Sequence, residues 1–225
     1  MSAVPDDLQR RFKNWDAEGR PSQVPFEWTK KNWAKYLGDY GVLESLPNPI
    51  DREGVLDSFK LIRDPDSALD AYIASYVWGY AGTGFGPYRA ARVIRVNTDR
   101  EKERDFASDL HTLAEVATTS GGNAAFEHVV HRRQSDRKFF AWWGPAFATK
   151  YISFATKASS QVATTPIMDS IVARWFSKHS RDVGPLWLNW HSADSYRRYT
   201  ERMAEWADEL DIEPEQVEQL IFRRN

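Results

Sequence analysis

Apolar residues recur along this chain at intervals of three and four and almost nowhere alternate as in a half-buried strand, so the pattern predicts an all-α fold. Helices are expected over residues 6–17, 28–38, 51–61, 65–78, 87–97, 101–118, 122–142 with a break near Gln134 and Ser135, 149–158, 166–179, 193–210 and 214–222. Several starts carry their own signals. Asp64 before Pro65 reads as a cap followed by a first helical position, and Pro87 and Pro214 suit helix entry in the same way. Asp194 is placed to cap the long helix that follows it. No internal repeat, low-complexity tract or long linker interrupts the pattern.

Composition narrows the class. The 225 residues, 42% hydrophobic and 14% aromatic, suffice for a substantial core as one large domain or two tightly packed lobes. The absence of cysteine excludes disulfides, thiolate metal sites and cysteine nucleophiles. The opening MSAVPDDLQRRFKNW has no apolar stretch after its charges, and no window approaches the roughly 18 apolar residues of a membrane span, so no membrane association and a cytoplasmic location are expected. His128 and His131 lie three apart without a third ligand placed to join them, so no metal is expected, and nothing implies a cofactor. No obligate protein partner is evident either.

The net charge of -2 argues against nucleic acid, but its distribution is uneven. From His128 to Asp182 nine Lys or Arg face three Asp, an excess of +6, whereas Asp194 to Asn225 carries -4. Such a run is commonly a solvated face; here it also marks where to look for chemistry.

Two glycine-bearing segments stand out. In WGYAGTGFGPYRAARV, residues 78–93, the spacing is GxGxG after a helical stretch, which fails the requirements of a dinucleotide site. It reads equally as a structural turn or as one that lets backbone approach a phosphate or base. In WWGPAFATKYISFA, residues 142–155, an aromatic helix ends at Gly144, a short apolar hairpin Pro145-Ala146-Phe147-Ala148 follows, and a helix begins near Thr149. That is a helix-hairpin-helix pattern, spanning about 134–158, whose second helix offers free N–H groups and a favourable dipole to an anion.

Lys150 falls in the first turn of that second helix, and nineteen residues later Asp169 falls in the first turn of the next, within TTPIMDSIVARWF. Together these segments resemble the helix-hairpin-helix DNA glycosylase superfamily, and within it the 8-oxoguanine branch, whose hairpin Leu-Pro-Gly-Val-Gly-Thr-Lys supplies a catalytic lysine followed at the same distance by an aspartate. Gly144-Pro145-Ala146-Phe147-Ala148-Thr149-Lys150 matches the proline, threonine and lysine in register. The likeness is firm from Phe139 to Phe176. Beyond it, GTGFGP, the run Trp187-Leu188-Asn189-Trp190-His191 with Tyr196, Tyr199 and Trp206, and the stretch from Ile212 to Phe222 resemble small prokaryotic members with an 8-oxoguanine glycosylase fold. The resemblance implies a two-lobed helical bundle with the active site in the cleft between lobes. Three departures bear on substrate. Ala146 and Ala148 replace the hairpin glycines, Ile171 stands where the 8-oxoguanine enzymes carry a histidine, and the chain is short for the extra β-rich domain of the eukaryotic enzymes.

The resemblance assigns Lys150 as nucleophile and Asp169 as its partner, and the chemistry is coherent. Cleaving an N-glycosidic bond develops positive charge at the sugar C1′, which a neutral amine attacks and a carboxylate stabilises. A flipped base needs apolar or aromatic walls; Trp187, Trp190, Tyr196 and Trp143 are the expected pocket residues. Pro145, Ala146, Phe147, Ala148 and Thr149 of the hairpin, with Arg132, Arg133 and Lys157, are the expected DNA contacts. The expected partner is therefore DNA bearing a modified base, either oxidised guanine in repair or a phage-type base such as modified cytosine in antiviral defence, with strand cleavage a possible sequel. A noncatalytic DNA-binding module and a helical interaction protein are the alternatives.

Overall fold

The computed structural model describes residues 3–80, 82–99 and 105–222, and within them it is helical, with an isolated antiparallel bridge between Phe26 and Ile50 in place of any sheet. The helices are α1 (Asp6–Ala17), α2 (Lys30–Leu37), α3 (Val42–Ser45), α4 (Arg52–Lys60), α5 (Pro65–Tyr80), α6 (Gly86–Asn97), α7 (Phe106–Ser120), α8 (Gly122–Ser135), α9 (Pro145–Ala158), α10 (Ser170–His179), α11 (Asp194–Leu210) and α12 (Pro214–Phe222). The expected helix start at residue 101 lies outside the described residues.

Most starts follow local chemistry. Asp51 accepts from the Gly54 amide at 2.8 Å to open α4. At α5, Asp64 Oδ1 accepts from the Ser67 amide at 2.8 Å while Ser67 Oγ accepts from the Asp64 amide at 3.1 Å, a reciprocal cap ahead of Pro65. Two elements differ from the sequence expectation. Asp194 is the first helical residue of α11 and not its cap; its carboxylate is taken by Arg197 at 2.6 Å and Arg198 at 2.8 Å. The four-residue α3 is too short to show a helical period in sequence.

The third difference concerns the hairpin. Pro145–Ala148 is the first turn of α9, so Lys150 lies in its second turn. The reversal occurs earlier, over residues 136–144, where Phe140 and Trp142 have positive φ of 50° and 64°. Arg133 donates to the Phe139 and Phe140 carbonyls, and Asn97 donates to the Ala141 carbonyl and accepts its amide, both at 2.8 Å. These bonds replace the backbone pairs that a continuous helix would have made. With Pro at its first position and alanines where a glycine hairpin would need positive φ, 145–148 enters the helix without strain.

The central helix α5 is buried on nearly every side from Ala71 to Trp78 and packs on α4, α6, α7 and α9. A second group, α1 with α10, α11 and α12, joins the first where α11 packs on α8, and one continuous apolar core runs through both. The seam between α4, α5 and α9 on one side and α10 and α12 on the other holds the candidate site.

Candidate active site

Lys150 is 8% exposed, an unusual setting for a side chain that is ordinarily solvated. Its neighbour Thr149 is fully buried, and the hydroxyl donates to the Met168 carbonyl at 3.0 Å and accepts from the Met168 amide at 3.2 Å. One side chain thus fixes the residue before Lys150 to the residue before Asp169. The segment leading into α10 is held further along, where the Tyr199 hydroxyl donates to the Ile167 carbonyl at 2.6 Å and Tyr196 to the Pro166 carbonyl at 3.3 Å.

Asp169 caps α10, its Oδ1 accepting from the Ile171 and Val172 amides at 2.9 and 3.0 Å. That leaves Oδ2 for Lys150, whose Nζ stands 3.8 Å away. The separation is an ion pair and exceeds hydrogen-bond reach. Burial lowers the Lys150 pKa, and the Asp169 charge offsets part of that. On the opposite side α5 comes close: a Cβ at Gly79 would stand 2.8 Å from the Phe147 ring and 3.2 Å from Lys150 Cδ. Phe147 is in turn stacked on Tyr80 at 4.7 Å.

The amine opens into a cavity of about 230 Å³ with apolar walls from Phe26, Trp78, Ile167, Ile171 and Phe222. Its polar side carries Gln23, Arg52 and Glu218. The volume falls below the roughly 300–1,000 Å³ of sites for drug-sized ligands, so the room suits a small group. Arg52 bridges two carboxylates, Glu215 at 3.0 Å and Glu218 at 2.7 Å, and its Nε donates to Gln23 at 3.2 Å. Burial raises the Glu218 pKa, with Arg52 and Lys150 opposing the rise.

Residues 19–222 match the family described as "OGG: Putative 8-oxoguanine DNA glycosylase OGG-like protein". The chain belongs to this family. No curated protein and no solved structure gives a significant match. Among the described residues, no helix of this OGG-like protein is long and apolar enough to cross a membrane.

Within the OGG-like fold, the expected pocket aromatics lie away from Lys150. Trp143 is 1% exposed, packed edge-on against Tyr72, Phe106 and Tyr151 in the core. Trp190 stacks on Phe126 and donates to the Trp143 carbonyl at 3.0 Å, and Tyr196 packs at a tilt on the same Phe126 ring. Trp187 is exposed. None of the four lines the cavity: Trp143, Trp190 and Tyr196 are taken up by aromatic packing, and Trp187 faces outward.

The expected DNA contacts also separate. Arg132 is exposed, lying over Phe139 at 4.7 Å. Arg133 is committed to the 136–144 turn, and Lys157 is paired with Glu215 at 2.6 Å. Pro145, Ala146 and Phe147 are half-buried, whereas Ala148 and Thr149 are buried. Since the Phe147 and Ala148 amides both bond the Gly144 carbonyl, the start of α9 offers fewer free donors than a glycine hairpin would.

Gln23, Phe26, Arg52, Trp78, Glu218 and Phe222 were not singled out in the sequence. A signal existed for two of them. Arg52 shares a helix face with Val55, Leu56 and Phe59, and Glu218 interrupts the apolar run Val217, Leu220 and Ile221. Charges on core-facing stripes require partners.

Proposed function

We propose that this chain is a DNA glycosylase that excises a modified base, with Lys150 as nucleophile and Asp169 as partner carboxylate. The observation that carries the reading is a buried lysine amine, 3.8 Å from a carboxylate already fixed by two amides, facing a small aromatic-walled cavity in a member of this family.

In this mechanism the neutral amine of Lys150 attacks C1′ as the bond from C1′ to the base breaks. The base leaves with the bonding electrons and takes up a proton; the amine gives up its own toward Asp169. Opening of the sugar ring converts the adduct to a Schiff base. Hydrolysis of that adduct by water releases the abasic sugar, while loss of the C2′ proton and the 3′ phosphate would cleave the strand. Asp169 stabilises the cationic sugar, and exclusion of water strengthens that interaction.

A flipped base fits the cavity with Trp78, Phe26 and Phe222 as its walls and Glu218 and Gln23 toward its polar edge. Oxidised guanine is the first substrate to test, and a phage-type modified cytosine the second. Ile171 on the cavity wall removes the histidine that the 8-oxoguanine enzymes carry there, which keeps the second class in play and with it an antiviral role.

Borohydride trapping on duplexes carrying oxidised guanine, uracil, or modified and glucosylated cytosines decides the mechanism. The expected outcome is a covalent adduct on one duplex that disappears in Lys150→Gln. Abasic product without an adduct would replace the Schiff base by activated water, and binding without product on any duplex would favour a noncatalytic module.

A further inference from the structure

The cavity holds one group that the proposed reaction does not use, the buried guanidinium of Arg52. The geometry points to Arg52 as a positioning residue for Lys150: by engaging Glu218 it leaves the amine with Asp169 as its ion-pair partner among the described residues. This assignment rests on the reading of Lys150 as nucleophile.

Three elements bring charge to Lys150. Asp169 stands at the start of α10, Glu218 projects from α12, and Arg52 comes from the first turn of α4. Behind them, Glu215 and Lys157 complete the ion cluster, and the buried Tyr199 phenol on α11 lies within the field of Glu218 and Asp169. The α5 wall contributes no formal charge but places the Trp78 ring near both cations, its centroid 5.0 Å from Arg52 and 5.8 Å from Lys150.

Consider the same cavity without the guanidinium. Glu218, 2% exposed, would keep its burial and lose its strongest counter-charge. The ammonium of Lys150 would then be the cation left facing it, and the charged, non-nucleophilic form of the lysine would be favoured. Arg52 prevents this twice, by occupying Glu218 and by repelling a second positive charge beside Trp78. The guanidinium suits the task because its planar fork reaches both carboxylates from one position and remains charged at every working pH. The opposing view is that the cluster only docks α12 on α4. That role would alter stability and leave the protonation of Lys150 untouched.

The test reads Lys150 directly, without DNA. Reductive methylation of the full chain with formaldehyde and cyanoborohydride, followed by mass analysis of the Lys150 peptide, gives reactivity against pH in wild type, Arg52→Met, Arg52→Lys and Glu218→Gln. The reactive midpoint is expected to rise by about one pH unit in Arg52→Met and to fall by about as much in Glu218→Gln, the scale on which a neighbouring charge acts. Arg52→Lys should lie between wild type and Arg52→Met. Opposite shifts cannot come from general loosening. An unchanged or lowered midpoint in Arg52→Met overturns the assignment; if that variant does not fold, an unchanged or raised midpoint in Glu218→Gln does so. Midpoints that move as expected on a chain that neither is trapped on DNA nor leaves abasic product on any duplex would retain Arg52's role and reject the glycosylase reading.

Discussion

Lys150 occupies a place that disfavours its own charge. Burial acts against the ammonium, and at 3.8 Å Asp169 offers charge without a hydrogen bond. A lysine whose folded pKa is lowered binds fewer protons in the native state than in the unfolded one, so stability rises with pH between the folded and unfolded values. Below that window the burial penalty is fully present, and above it the penalty vanishes. Lys150→Met should therefore melt above wild type by a few degrees at neutral pH, roughly the effect of 1 kcal/mol in a chain of this size. Calorimetry from pH 7 to 10 should show the gap closing as pH rises. A variant that melts well below wild type would mean that the ion pair, and not desolvation, governs the site. At this scale the sequence was informative where a pair is local: the lysine and aspartate it set nineteen residues apart come within 3.8 Å of each other. Arg52 and Glu218 each stood out as a charge on an apolar helix face, but their pairing was hidden, since they meet only across 166 residues of chain.

Helix α9 and the segment entering α10 are held together by two hydroxyls, Thr156 Oγ1 accepting from the Thr165 amide at 3.0 Å and Thr149 bonding both backbone groups of Met168 next to the site. Thr149→Val keeps the shape of the side chain but leaves the Met168 amide and carbonyl without that partner. The expected cost is about 1–3 kcal/mol for the buried groups, with a fall in turnover of about 100-fold if Lys150 shifts by about 1 Å relative to Asp169. Denaturant titration and single-turnover excision measure the two effects separately; a stability loss with unaltered turnover would show that the registry is held elsewhere. Helices were legible because their apolar faces repeat, and their starts where a capping side chain preceded a proline. The start of α9 was misplaced by four residues because the hairpin was located by its likeness to a glycine-rich sequence. Ala146 and Ala148 are themselves the local sign that this stretch is helical.

Across the whole molecule, the cavity depends on α12 closing over α4 and α9. Deleting residues 214–222 would remove Val217, Leu220 and Ile221 from the core and strand Arg52 without its carboxylates. Leaving a buried charge unpaired costs about 3–5 kcal/mol, a large share of the roughly 5–15 kcal/mol that holds a domain together. The truncated chain should lose its cooperative thermal transition and its excision activity together; a sharp transition near the wild-type temperature would show that α12 is an accessory. The all-helical class was readable from the period, and the resemblance pointed to a cleft for the candidate site. The walls of that cleft were not readable, because Gln23, Trp78 and Phe222 belong to three distant stretches whose meeting is a property of the fold.

The same long separations govern when the site comes into being. Contacts that close loops of more than 160 residues, as those from Arg52 to α12 do, are entropically costly and form only once nearer contacts have prepared them. In a partly folded chain Lys150 is hydrated, protonated and inert. On the proposed reading of Lys150 as nucleophile, its attack on DNA is thus withheld from immature or damaged copies of the protein, and its reactivity certifies that folding is complete.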